Sequence, residues 1–150
     1  MNAAGSHIPV LVKMMLKTTG PVLELGSGFN STPLLYQLCR DQGRPFYSYE
    51  SDPKWAKMVG NITMFTEDFD KVQIENIHWG LAFIDHKPGL RRIIDIRRIA
   101  NNAEYIVIHD SEPQTERDYK YSEIYPLFKY RYDYTKVRPN TTVLSNFHNI

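Results

Sequence analysis

The chain has 150 residues, 42% of them hydrophobic, and 18 basic against 17 acidic side chains give a formal net charge of +1. That balance excludes a strong overall pull toward nucleic acid or an anionic membrane, no apolar run approaches the roughly 18 residues of a membrane helix, and the lone Cys39 excludes an internal disulfide and a multi-cysteine zinc site. Residues 1–150 read as one domain, expected in the cytoplasm because the start of the chain lacks the charged and apolar regions of a signal peptide.

His7 to Lys17 is predicted to be a short helix, with Ile8, Leu11, Val12 and Met15 at helical spacing. Thr18-Thr19-Gly20-Pro21 stops it. Val22 to Leu25 has the apolar character of a buried parallel strand and runs into Gly26-Ser27-Gly28. Asn30, Ser31 and Thr32 offer caps, Pro33 suits a first turn, and Leu34 to Arg40 continues as helix. The alternation repeats: strand Pro45–Glu50, helix Asp52–Val59, strand Ile62–Phe65, strand Trp79–Asp85, helix Leu90–Ala100 and strand Glu104–His109. A polar loop follows, then a helical stretch Tyr121–Leu127 and two strands, Phe128–Tyr134 and Thr141–Phe147, turning near Pro139-Asn140. The fold class is therefore α/β, a doubly wound, Rossmann-like and mostly parallel sheet closed by a C-terminal antiparallel hairpin.

Sheets of this kind bind ligands beyond the carboxyl ends of their strands, at the topological switch point. Gly26 and Gly28 allow a tight turn there and close approach of a ligand to the backbone. Glu50 ends the second strand 22 residues beyond Gly28, where a carboxylate can accept hydrogen bonds from a ribose diol. A plain turn, with Glu50 capping the next helix, is the bland alternative. Ser31 stands where a dinucleotide fingerprint wants its third glycine, and Glu24 adds negative charge where a diphosphate would approach. A cationic nucleoside-like ligand without phosphate fits that arrangement better.

Val22 to Thr32 (VLELGSGFNST) resembles the cofactor loop of class I S-adenosylmethionine-dependent methyltransferases. Phe83-Ile84-Asp85-His86 and Val107-Ile108-His109-Asp110 resemble that superfamily's fourth and fifth strand ends, most nearly its methyltransferase 24-like and small-molecule O-methyltransferase branches. The resemblance implies that Glu24, Gly26, Ser27 and Gly28 line the methionine part of S-adenosylmethionine. Glu50, with Tyr49 and Ser51 alongside, would hold the ribose, Glu67 or Asp68 would lie near the adenine amino group, and Asp85 would lie beside the reacting methyl.

Methyl transfer from a sulfonium needs alignment of an acceptor, and a base only when the acceptor enters protonated. Asp85, His86, Lys87 and His109 are the candidate catalytic residues. In catechol-type relatives an aspartate at each of these strand ends binds magnesium, so the resemblance nominates Asp85 and Asp110 for Mg2+; this chain departs from the pattern in the spacing of Lys87 and in having Ser111 after Asp110. Arg91, Arg92, Arg97 and Arg98 read as a solvated helix face with an Arg91–Asp95 pair. Six tyrosines from Tyr119 to Tyr134 read as strand core or surface, and Ser111–Lys120 as a mobile lid. The expected activity is methylation of a small molecule at oxygen, with no nucleic-acid or membrane partner and with a homo-oligomer completing the acceptor site. A non-catalytic cofactor-binding regulator and an NAD-dependent oxidoreductase are the alternatives.

Overall fold

The computed structural model describes residues 4–150. The apolar runs become β1 (Val22–Leu25), β2 (Phe46–Glu50), β3 (Thr63–Phe65), β4 (Trp79–Ile84) and β5 (Ala103–His109), all parallel. β6 (Tyr130–Tyr134) and β7 (Thr141–Ser145) close the sheet in antiparallel sense, in the order β3-β2-β1-β4-β5-β7-β6. β7 (TTVLS) is buried throughout and lies inside, whereas the largely exposed β6 (YRYDY) takes the edge.

Side-chain alternation divides the sheet's apolar residues between two cores. Val22, Leu81, Phe83, Tyr105, Val107 and Val143 face α1 (Ile8–Lys17) and α2 (Ser31–Gln42). Leu23, Leu25, Ala82, Ile84, Ile106, Ile108 and Leu144 face α4 (Arg91–Ile99) and the turns around Phe69 and Tyr121. α3 (Pro53–Val59) follows β2, with the Asp52 carboxylate accepting from the Lys54 and Trp55 amides as its N-cap.

Three local expectations change. α2 begins at Ser31, so Ser31 and Thr32 form its first turn and do not cap it, their side chains directed to Glu24. Tyr121–Leu127 is not a helix but two 3₁₀ turns, Tyr121–Glu123 and Tyr125–Leu127, with Pro126 denying the second an amide donor. Within the polar loop expected as a lid, Pro113–Thr115 forms a 3₁₀ turn and Glu116–Tyr119 a short helix, α5.

The largest departure is on α4. Its buried stripe is Arg92, Ile93, Asp95, Ile96 and Ile99, so two charges lie on the face expected to be apolar. The Arg91–Asp95 pair is present, with oxygen–nitrogen contact at 2.8 Å, but Asp95 is fully buried and also meets His86 at 2.8 Å and Arg98 at 2.7 Å. Burial pushes the Asp95 carboxyl up, yet His86, Arg91 and Arg98 outweigh it and hold the group well below the usual carboxylate range. Arg98 also donates to the Phe69 and Val72 carbonyls, tying α4 to the connection before β4. Removing one member of such a cluster leaves buried partners uncompensated. Asp95→Ala is expected to lower stability by roughly 3 kcal/mol or more, measured by urea unfolding; a loss below about 1 kcal/mol, the scale of a surface pair, would contradict this assignment.

Candidate active site

The carboxyl ends of β1, β2, β4 and β5 surround a cavity of about 480 Å³, lined by Ser27, Glu50, Asp85, His109 and Asp110 from these strand ends and by Trp55, Lys87, Arg92 and Tyr119. It lies where strand order reverses between β1 and β4. Its volume is that of a small-molecule site.

Gly26 makes this convergence feasible. It has φ +89°, and a Cβ there would lie 2.5 Å from the Asp85 carbonyl carbon and the His86 amide nitrogen. Only glycine combines that dihedral with that contact. Its amide donates to the Tyr49 carbonyl at 2.8 Å, while the Asp85 amide donates to Leu25 at 2.8 Å, so the first turn is pinned between the ends of β2 and β4. A Cβ on Gly28 would meet only Ser31 Oγ at 3.4 Å, leaving that backbone approachable.

Glu50 organises the adjoining wall. Its Oε2 accepts from the Ser27 amide at 2.9 Å and the Ser27 hydroxyl at 3.3 Å, and its Oε1 accepts from the Ser51 and Asp52 amides at 2.9 Å each. The longest of these, to a rotatable hydroxyl, is the bond most readily exchanged for a ligand hydroxyl. Helix capping belongs to Asp52, so the bland alternative for Glu50 holds only for the turn before the helix. Trp55, which the sequence reading missed, donates its indole N–H to the Ser27 carbonyl at 2.5 Å and meets Phe29 edge-on at 4.8 Å between ring centres. Of the two neighbours of Glu50, Ser51 lines the cavity, whereas Tyr49 is not among the lining residues and packs against the hydrophobic core.

Glu24 requires a correction. It is fully buried and is not part of the cavity wall. Ser31 donates to its Oε1 at 2.5 Å, and Thr32 and Ser48 donate to its Oε2 at 2.8 and 2.5 Å. Burial pushes its pKa up to about 7 despite those three hydroxyls. Thr32 Oγ1 in turn accepts from the Gly28 amide at 2.9 Å, so Glu24 shapes the glycine turn from behind and presents no bare charge to a ligand. Asp68 likewise is not among the lining residues, its Oδ1 capping the next turn at the Asp70 amide; Glu67 is exposed.

His86 is also corrected. Alternation at the end of β4 sends Asp85 to the cavity and His86 into the core. There Nε2 meets Asp95 at 2.8 Å and the ring packs on Phe69 at 4.5 Å, out of reach of any acceptor. Burial lowers its pKa against the pull of Asp95. Lys87 lines the cavity mouth.

His109 does reach the cavity. Its Nδ1 lies 3.3 Å from Asp85 Oδ1 and its Nε2 lies 3.0 Å from Ser6 Oγ. Burial works against its imidazolium, but the hydrogen bond and charge of Asp85, with Asp110, outweigh it and raise the pKa. Asp85 is pushed up by burial, but His109 and Arg92 prevail and hold it below the ordinary carboxylate range. His7, another residue the sequence reading passed over, packs edge-on against His109 at 4.8 Å and on Phe83 at 4.9 Å. Burial, then the charge of His109, lower its pKa to about 4 despite Asp85 and Asp110.

Asp85, His109 and Asp110 bring one ligand atom each within 4.8 Å of one another. The expected magnesium ion does not fit them. Arg92, buried to 1% exposure, already donates Nη2 to Asp85 Oδ1 at 3.0 Å and Nη1 to Asp110 Oδ2 at 3.2 Å. Ser111, at the third position of the metal pattern, accepts a hydrogen bond from the Thr142 hydroxyl at 2.8 Å. Tyr119 donates to Asp110 Oδ2 at 3.1 Å and Tyr121 to the His109 carbonyl at 2.9 Å, so two of the six clustered tyrosines belong to this site and not to the strands. Asp110 itself has φ +56°, a left-handed turn that aspartate tolerates better than most residues.

No protein-family model matches the sequence, and no curated protein does. Solved structures match the fold. The human methyltransferase 10 domain-containing protein superposes with a TM-score of 0.58 at 11% identity, over 95% of this chain and 80% of that one. Precorrin-6y C5,15-methyltransferase from Geobacter metallireducens gives 0.55 at 14%, over 91% and 86%. M. capricolum TrmK, solved with the natural cofactor product S-adenosylhomocysteine, gives 0.54 at 12%, over 94% and 70%. The chain thus has the Rossmann-like methyltransferase fold. Among the described residues no helix is long and apolar enough to cross a membrane.

Because Glu24 binds its proton more tightly folded than unfolded, its contribution favours the fold below its ordinary pKa of 4.5 and is lost as pH rises through about 7. Glu24→Gln is therefore expected to remove a decline in stability between about pH 5 and about pH 7.5. Melting temperatures of variant and parent across that window check it; parallel curves would count against a buried, proton-retaining Glu24.

Proposed function

We propose that this protein transfers a methyl group from S-adenosylmethionine to a small acceptor at oxygen, the narrower small-molecule O-methyltransferase reading included. The observation that carries the proposal is the glycine turn held against Asp85 with Glu50 bonded to Ser27 beside it, at the switch point of a methyltransferase-type sheet. The donor set fits the cofactor. Glu50, Asp52, Asp85 and Asp110 make an acid-lined cavity, and of its basic residues Lys87, Arg92 and His109 the last two are already engaged by Asp85 and Asp110. A sulfonium and an ammonium suit such walls; the diphosphate of NAD does not. The antiparallel β7 between β5 and β6 also departs from the dinucleotide strand order.

In this reading Gly26, Ser27 and Gly28 receive the methionine portion, Glu50 the ribose diol, and Trp55 offers an aromatic wall to the adenine. The cofactor supplies an already activated methyl, so the protein's work is to align the acceptor and receive its proton. Asp85 accepts the acceptor's O–H, and His109, coupled to it at 3.3 Å, shares the released proton. Lys87 at the mouth favours an acceptor bearing negative charge.

Titration calorimetry with S-adenosylmethionine and NAD in parallel tests the cofactor: the first is expected to bind and the second not, and NAD binding alone would overturn the proposal. Glu50→Ala is expected to weaken cofactor binding by about 10–100-fold, the scale of lost hydrogen bonds to a charged group. Transfer is read as S-adenosylhomocysteine formed with pooled hydroxylated metabolites. His109→Ala is expected to lower kcat by about 10²–10⁴-fold, with cofactor affinity little changed. Tight cofactor binding with no product from any pool would instead mark a binding protein.

A further inference from the structure

We infer that Arg92 is a built-in cation that takes the place a metal ion holds in related two-aspartate sites, and that it is the positioning residue for Asp85 and Asp110. The guanidinium is the hub of the far wall. It donates from Nε to the His86 carbonyl at 2.8 Å, from Nη1 to the His109 carbonyl, Asp110 Oδ2 and the Tyr121 hydroxyl at 3.0–3.2 Å, and from Nη2 to Asp85 Oδ1 at 3.0 Å. Tyr119 covers its face with the ring centre 4.3 Å away. All three guanidinium nitrogens are engaged, with three acceptors sharing the two Nη1 hydrogens, and the aromatic face suits the flat surface of the group. His109 Nδ1 also faces both carboxylates, at 3.3 Å from Asp85 Oδ1 and 3.5 Å from Asp110 Oδ1, but Arg92 alone joins them with a separate guanidinium nitrogen for each.

Two consequences follow from charge and geometry. A divalent ion between Asp85 and Asp110 would stand beside a fixed positive charge and compete for carboxylate oxygens that Arg92 already engages. Asp85 and Asp110, engaged by a cation that is part of the chain, can do their work in the presence of a chelator. An acceptor is then held by its own hydrogen-bond donor and not as two oxygens chelated on a metal. That last point rests on the methyltransferase reading; the occupancy of the cation site does not.

The test uses the full chain and Mn2+ as the probe, followed by electron paramagnetic resonance. Wild type is expected to show no bound Mn2+ that depends on Asp85. Arg92→Met is expected to bind Mn2+ at least about tenfold more tightly than wild type, because two carboxylates and an imidazole are left without their cation. Arg92→Lys, which restores charge without the fork, is expected to bind Mn2+ no better than wild type. An Arg92→Met protein that folds, by circular dichroism, and gains no affinity would overturn the inference, as would equal gains in Met and Lys variants. Should Arg92→Met not fold, wild type still decides: bound Mn2+ abolished by Asp85→Asn would refute the inference, and its absence supports it. Methyl transfer stopped by EDTA and restored by Mg2+ would overturn the inference while leaving the methyltransferase reading intact. Gain of Mn2+ binding in Arg92→Met without transfer by any variant would leave Arg92 assigned and count against that reading.

Discussion

Between Gly26 and the end of β4 there is space for a hydrogen atom and nothing larger. A methyl carbon on Gly26 would stand 2.5 Å from the backbone of Asp85 and His86, well inside van der Waals contact. Because β1 and β4 are hydrogen-bonded neighbours, this contact brings the glycine turn and Asp85 to the same wall of the cavity. Glu50 then joins through its bond to the Ser27 amide, and Trp55 through its bond to the Ser27 carbonyl. Ser27 is a hinge of polar contacts, but its position depends on the glycine before it.

Behind this turn the sheet carries a line of polar groups across three strands. Glu24 is in register with Ser48, and Ser48 with Thr63. Ser48 lies 2.5 Å from Glu24 and 2.9 Å from Thr63. Buried polar groups are tolerable when every partner is supplied, and the hydroxyls of α2 complete the set. α4 follows the same principle with stronger charges, placing Arg92 and Asp95 among isoleucines. Such ion clusters are weak evidence for added stability. They do hold the ends of β4 and β5 in one arrangement.

Much of this was legible in the sequence. Strand and helix alternation, the C-terminal hairpin, the glycine turn and Glu50 follow from patterns with direct physical causes: positive φ at Gly26, apolar runs in buried strands, an acid at a strand end. The side on which a charged residue lies is harder to read. Arg92 and Asp95 fall at helical spacing with Ile96 and Ile99, yet charge alone assigns them to solvent, since the partners that make their burial possible include His86 for Asp95 and Asp85, Asp110 and Tyr121 for Arg92, all outside α4. Glu24 reads as a ligand contact by its neighbourhood to the glycines; the compensating hydroxyls of Ser31, Thr32 and Ser48 are visible only once strand register is known. His86 fails as a base because one step along a strand reverses the face. Trp55 carries no sequence signal that separates a cavity wall from an ordinary amphipathic helix.

Ser6 meets His109 from 103 residues away, and the Asn30 side-chain amide donates to the Ala4 carbonyl. The opening turn of the chain is thus stitched to the strand end that carries the site, with His7 packed behind it. A substitution at Ser6 or His7 would therefore be felt at an imidazole of the cavity, although neither residue belongs to the strand ends that build it.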